Sequence, residues 1–266
     1  METENLGYVK GLGEIHRINA PFVVQLGAFR EIGIKAPVSV RDTSLIRLSG
    51  KSTEGTRTCH APVYLKNSPT IVARMSPLVR NLGMAQKAVN AHKSSEYPVF
   101  GSSIYAQWEK IAKQDKGKKP EKRRAIILPE RKDFDIHRDS DEAEFFWQDK
   151  RKEYFKRFVS ADKVIAYQID PETVDSQDGA IVNYLWFDDP EDGSYLYLRS
   201  RSLYYDDRAF GVLEKTSEAG LQKISGNLVR HYTQREAKKY TNILQDVMSG
   251  KTGTSKLEKV LKHFKK

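Results

Sequence analysis

The chain predicts an α+β fold, a mainly antiparallel sheet meander with helices packed around it, and three observations carry that expectation. Short segments rich in β-branched and aromatic residues alternate with stretches whose apolar residues recur every three or four positions. Across residues 125–250 the order reads β-α-β-β-β-β-α-α, so strands follow one another instead of being separated by helices. A length of 266 residues, 39% hydrophobic and 30% charged, suffices to bury a substantial core under a polar surface.

Composition then divides the chain. Residues 113–124, KQDKGKKPEKRR, contain Gly117 and Pro120, neither suited to a helix interior, and read as a basic linker or loop. They separate an N-terminal mixed α/β region, 1–112, from an α+β region with the meander, 125–250, and a basic amphipathic tail, 251–266, follows.

In the first region VSVRDTSLIRL (38–48) and TCHAPVYL (58–65) are expected as strands, and 22–34 suits strand or helix. A helix is expected after Ser76-Pro77, an N-cap with proline at the first helical position, with Leu78, Leu82, Ala85, Val89 and His92 on one face. A second covers Ile104–Ala112. In the second region AIIL (125–128) is a short buried strand, and Asp139, three before Glu142, opens a helix running to about Val159. Strands follow at 163–169, 180–187, 194–205 and 209–215, then helices near Ser217 and after Thr233.

Charge is localised. Residues 110–124 hold eight Lys/Arg and two acids, residues 251–266 six Lys and one Glu; together they carry +11 against a net charge of +10, leaving the remaining residues at −1. Such segments attract polyanions over about 8 Å at physiological salt, and nucleic acid is the commonest intracellular polyanion. The tail pairs an apolar stripe, Leu257, Val260, Leu261 and Phe264, with lysines opposite. That stripe is short, no apolar run has bilayer length, and the N-terminus lacks an apolar signal core; no membrane role is expected, and an intracellular, cytoplasmic or nuclear, location is. One cysteine, Cys59, excludes an intramolecular disulfide.

Catalytic patterns are weak. SGKTGTSK near the C-terminus lacks the earlier glycine of a phosphate-binding loop, Gln245 standing in its place, and follows a helix end. In DFDIHRDSDEAE (133–144) Asp133, Asp135, His137, Asp139, Asp141 and Glu144 take offsets 1, 3, 5, 7, 9 and 12 of a calcium loop. Arg138 occupies the obligatory glycine position, so the acids read as a loop ending in a helix N-cap. The histidines show no paired ligand spacing, Cys59-His60 has no second metal-binding pair, and Glu236-Ala237-Lys238, the nearest nuclease-like acid–lysine pair, lies within an expected helix. No metal, no cofactor and no catalytic residue is assigned.

GSYLYLRSRSLYY (193–205) carries the one chemical pattern that stands out. Pro190 and Gly193 suit a four-residue hairpin loop, which makes Asp189 face Ser194, Trp186 face Tyr197 and Tyr184 face Arg199. One surface then displays Tyr184, Trp186, Tyr195, Tyr197, Arg199 and Arg201, while Ile181, Leu185, Phe187, Leu196 and Leu198 form an apolar opposite face. Exposed rings stack bases and guanidinium groups hold phosphates, so these six residues, with Lys118, Lys119, Lys122, Arg123 and Arg124 of the basic loop, are the expected nucleic-acid contacts. The function expected is non-catalytic binding of single-stranded RNA or DNA, as a subunit of a nucleoprotein assembly with protein partners. Two alternatives stand beside it: a metal-dependent nuclease or phosphotransferase using the 133–144 acids, and an assembly subunit, viral or cellular, without a nucleic-acid role.

Overall fold

In the computed structural model, residues 2–213 are described, except 192, 200–202, 204 and 206. Arg201, the two helices expected after residue 216 and the basic tail therefore lie outside the described residues. The first two strands, β1 (Glu2–Val9) and β2 (Gly13–Ala20), form a hairpin that is not among the expected strands. Ile15, Ile18 and Ala20 of β2 are buried, whereas most of β1 is exposed.

Helix α1 (Phe22–Glu31) resolves the ambiguous 22–34 segment, burying Phe22, Leu26 and Phe29. The strand expected at 38–48 is instead helix α2 (Val40–Leu48). Ser39 and Asp42 form a reciprocal capping box, which satisfies two backbone donors and overrides the β-branched composition. Within the 58–65 segment only β4 (Ala61–Tyr64) is a strand; β3 (Thr56–Arg57) precedes the segment and β5 (Ile71–Ala73) follows it. Ser76 caps α3 (Pro77–Arg80) as expected, but Asn81 then accepts the Met84 amide and starts a separate helix, α4 (Leu82–Lys93). Leu78, Ala85, Val89 and His92 are buried, while Leu82 is exposed.

After β6 (Val99–Phe100), helix α5 (Ser103–Asp115) leads into the basic segment. That segment is a folded corner, not a linker. The Asp115 carboxylate, with a fully buried side chain, accepts from the Arg124 amide at 2.8 Å and ion-pairs Lys118 at 2.7 Å and Arg124 at 2.9 Å. Arg74 donates to the carbonyls of Arg123 and Pro120, and Pro120 is buried in a short 3-10 turn. Strands from both sides of the corner join the same sheets, and residues 1–214 form one compact unit, so no domain boundary falls at 113–124.

Beyond it come β7 (Ala125–Ile127), β8 (Phe134–His137), α6 (Asp141–Trp147), α7 (Arg151–Phe158), β9 (Lys163–Tyr167) and α8 (Pro171–Asp175). Ser140, not Asp139, caps α6, and Gln148 at φ 52° breaks the single long helix expected to Val159. The expected strand 180–187 divides into β10 (Ala180–Val182) and β11 (Trp186–Phe187); β12 (Leu196–Tyr197) and β13 (Asp207–Leu213) complete the set.

These strands form no meander. Among the described residues one sheet has the order β1-β2-β13-β3-β11-β12-β9-β8 and the other β6-β10-β4-β5-β7. β12 pairs in parallel with β9, and β13 returns to pair with β2. The α+β class holds; the succession of neighbouring hairpins does not, because strands close in sequence join different sheets.

The second sheet is covered on both faces, which is why its strands are apolar throughout. Ala61, Val63, Ile71 and Val182 face α1, α4 and α5, while Tyr64, Val72 and Ile181 face the other core. There Phe145, Phe146, Trp147, Tyr154 and Phe155 of α6 and α7 pack against Phe187, Leu196, Ala166 and Ile136 of the first sheet. The first sheet thus turns one face of β8, β9 and β12 inward and leaves the other outward, while on β11 Trp186 packs against the second core.

Candidate functional site

Alternation along β9 sets the outward face. Val164 and Ala166 are buried, whereas Lys163, Ile165 and Tyr167 point the other way. In the hairpin, Trp186 pairs with Tyr197 and Phe187 with Leu196, and the Ser194 amide donates to the Asp189 carbonyl at 2.9 Å, the register expected from the loop. Gly193 adopts φ 103°, and the Tyr195 ring lies across it so closely that a Cβ there would stand 2.7 Å from Cζ. Parallel pairing brings Tyr167 beside Tyr197, so Trp186, Tyr197 and Tyr167 form a row across three adjacent strands.

Within this row the Tyr167 and Tyr197 rings stack at 4.9 Å, and Tyr195 meets both edge to face, at 5.4 and 6.2 Å. The Arg199 guanidinium lies 5.0 Å from the centroid of Tyr167 and 3.6 Å from the Asp133 carboxylate. All three tyrosines are half-buried and Arg199 is exposed. Burial, followed by the nearby Asp188, raises the Tyr197 hydroxyl pKa above its usual value, so the phenol remains a neutral donor at physiological pH. Trp186 is half-buried over Gly55, where a Cβ would meet Cζ2 at 2.7 Å, and its indole donates to Asp188 at 3.2 Å.

The hairpin is held from behind. Fully buried Arg47 of α2 donates to Tyr154 at 2.7 Å, to the Phe187 carbonyl at 3.2 Å and to the Asp188 carbonyl at 2.5 Å. Tyr154 in turn shares a 2.8 Å hydrogen bond with buried Ser194. One cation therefore ties both arms of the turn to the aromatic core, and a turn fixed in this way fixes Tyr195 and Tyr197.

Several expected contacts are corrected. Tyr184 is buried, its ring stacked with Phe22 at 6.4 Å, because residues 183–185 pass between the two sheets and do not continue the ladder to Arg199. The basic-loop residues stand on the corner between α5 and β7, on the second sheet, and not on the tyrosine row. Lys118 and Arg124 are held by Asp115, and Arg123 pairs with Asp141 at 2.9 Å; Lys119 and Lys122 are exposed. Tyr167 was missed. Its signal was the period-two pattern Lys163, Ile165, Tyr167, but the parallel partner that brings it to Tyr197 is not local in sequence.

The acidic segment does not converge on an ion. β8 turns Phe134 and Ile136 inward and Asp135 and His137 outward. Asp135 pairs with Lys163 at 2.7 Å, Asp139 with Arg138 at 3.3 Å and Glu144 with Arg151 at 3.3 Å. Among the described residues no group of three acidic, histidine or cysteine side chains has metal-holding geometry. Cys59 and His60 are likewise unsuited to nucleophilic chemistry. Burial pushes the thiol pKa up to about 12, and burial with Arg74 nearby pushes the imidazole down to about 3, so both stay neutral. No described helix is long and apolar enough to cross a membrane.

No family model matches the chain, and no curated protein matches it. A solved structure concerning the accommodation of massive sequence variation in Nanoarchaeota by the C-type lectin fold aligns with 77% of this chain and 100% of its own, with a TM-score of 0.51 and 10% identity. At that identity the likeness speaks to architecture alone: the chain is similar in fold to a C-type lectin domain.

Proposed function

We propose that the protein is a non-catalytic recognition module that binds single-stranded nucleic acid on the outward face of β9 and β12. The observation that carries this reading is the contact cluster of Tyr167, Tyr195 and Tyr197, with the Arg199 guanidinium over the Tyr167 ring. Half-exposed rings offer π-faces to unstacked bases, worth ~1–3 kcal/mol per base, and Arg199 sits where a phosphate of the same strand would pass. Lys119 and Lys122 add diffuse attraction, whereas the paired Lys118, Arg123 and Arg124 serve the fold first. A fold similar to one that accommodates massive sequence variation in another protein suits a role defined by surface side chains.

The test is a titration of labelled oligothymidylate and oligouridylate against the full chain at several salt concentrations. Arg199→Ala should weaken binding and make the slope of log affinity against log salt shallower by about 0.7, one phosphate contact on a single strand. Binding that ignores both salt and Arg199 would remove the proposal.

A further inference from the structure

The tyrosine row leads into a cavity of about 470 Å³ that none of the preceding contacts occupies. β9 begins at Lys163, and Pro190, Glu191 and Gly193 of the hairpin line the same cavity as Lys163 and Ile165, so it lies where the outward sheet face ends. Tyr195 belongs to both features: it touches Tyr197 at 6.2 Å and lines the cavity. Among the described residues that line it, Lys156, Arg157 and Lys163 supply the cations, Phe158 and Ile165 apolar surface, and Glu191 an acid.

These cations differ in availability. Arg157 donates to the Leu48 carbonyl at 2.9 Å and lies 5.2 Å from the Phe158 ring centroid, so it is fixed in place. Lys163 pairs with Asp135 at 2.7 Å on the open face of the sheet, a contact that an incoming dianion can share. Lys156 is exposed. The volume falls within the ~300–1,000 Å³ of small-molecule sites, and an aromatic ring and cations lining one cavity match a base joined to a phosphate.

We propose that this cavity takes the terminal, phosphate-bearing nucleotide of the single strand that lies on the tyrosine row. The inference rests on the nucleic-acid reading above and adds to it a preference for a strand end. Successive outward residues of β9 step about 7 Å along the strand, so Tyr167, Ile165 and Lys163 carry a chain from the stacked rings to the cations. A terminal phosphate bears more negative charge than an internal diester and so gains more from a cavity lined by Lys156, Arg157 and Lys163, whereas internal diesters pass the open face at Arg199.

The experiment compares an oligothymidylate bearing a 5′-phosphate, a 3′-phosphate or neither, on the full chain and on Lys156→Ala/Lys163→Ala. One phosphorylated end should bind about tenfold tighter than the bare strand, the effect of one to two charge-assisted hydrogen bonds. The double variant should lose that gain, so that the phosphorylated and bare strands bind it within about threefold of one another. No gain at either end, or a gain that survives in the variant, overturns the assignment. If no oligonucleotide binds at all, the platform reading fails, and adenosine 5′-monophosphate then tests the cavity separately. Amide shifts confined to residues 160–163 and 193, abolished in the double variant, uphold the cavity; their absence overturns it.

Discussion

The rings of Tyr167 and Tyr197 stack 4.9 Å apart and within 16° of parallel, although they reach one another only through the parallel pairing of β9 and β12. Two rings held face to face on a sheet form a preorganised surface, and order already present in the free protein need not be imposed on binding. On this account Tyr197→Ala weakens single-strand binding about 5- to 100-fold, whereas Tyr197→Phe stays within about threefold. Anisotropy titrations, with thermal melts confirming that both variants fold, check this.

Arg47 holds the turn that presents those rings, so its removal is expected to act on stability and on binding together. Arg47→Met leaves the Phe187 and Asp188 carbonyls without their donor, at a cost of about 2–4 kcal/mol. Arg47→Lys should restore little, because one ammonium cannot replace a planar fork serving several acceptors. Urea unfolding measures the first effect, and binding at saturating folded protein measures the second.

His60 gives the fold a pH dependence whose sign follows from burial. It lies against Phe145 and Phe146, and burial holds its pKa at about 3, below the ~6.5 of an unfolded histidine. Below about pH 6.5 the unfolded chain takes up a proton that the folded chain does not, so stability falls as pH drops from there toward 3, by up to ~1.4 kcal/mol per unit. Chemical denaturation at pH 7, 6, 5 and 4 should show this slope, and His60→Phe should reduce it.

Asp115 acts lower on the scale. Its hydrogen bonds to Arg124, and then to Lys118, hold its pKa well below the usual carboxylate range despite burial. Its contribution is complete above the unfolded value near ~3.9 and is lost as pH falls through the folded one. Asp115→Asn should therefore destabilise the protein at pH 7 and bring its stability closer to that of the parent at pH 2, by the same denaturation assay. The 113–124 corner, released from its anchor, should become the first site of tryptic cleavage.

Cys59 donates to the Arg74 carbonyl at 3.3 Å and keeps its proton at neutral pH. A thiol reagent should label it only as fast as the protein unfolds, and the labelling rate should rise with denaturant in step with global unfolding.

How far the sequence foretold this arrangement depended on the range of the interactions. Turn chemistry is local, and Pro190 with Gly193 placed Trp186 opposite Tyr197 correctly. The inward set Ile181, Leu185, Phe187, Leu196 and Leu198 lies wholly in the core, because period-two burial is also local. In the 38–48 segment the β-branched residues suggest a strand, and the Ser39–Asp42 box that starts a helix overrides them. Tyr184 was misplaced because one apolar run was taken as one strand, whereas the chain changes sheets at Asn183, whose side-chain amide donates to the Leu198 carbonyl. The return of β13 to β2 and the parallel union of β12 with β9 join distant segments, and no local pattern announces them. The basic loop shows the same limit for charge: its lysines and arginines were counted as free, yet Asp115 and Asp141 neutralise three of those expected to bind.

Ultraviolet crosslinking of a single-stranded oligonucleotide to the full chain, followed by peptide mapping, tests the central claim most directly. Crosslinks at Tyr195, Tyr197 and Tyr167 that disappear on raising salt or adding unlabelled single strand are the predicted result. Crosslinks confined to the lysine-rich segments, with the tyrosine peptides unmodified, would contradict it.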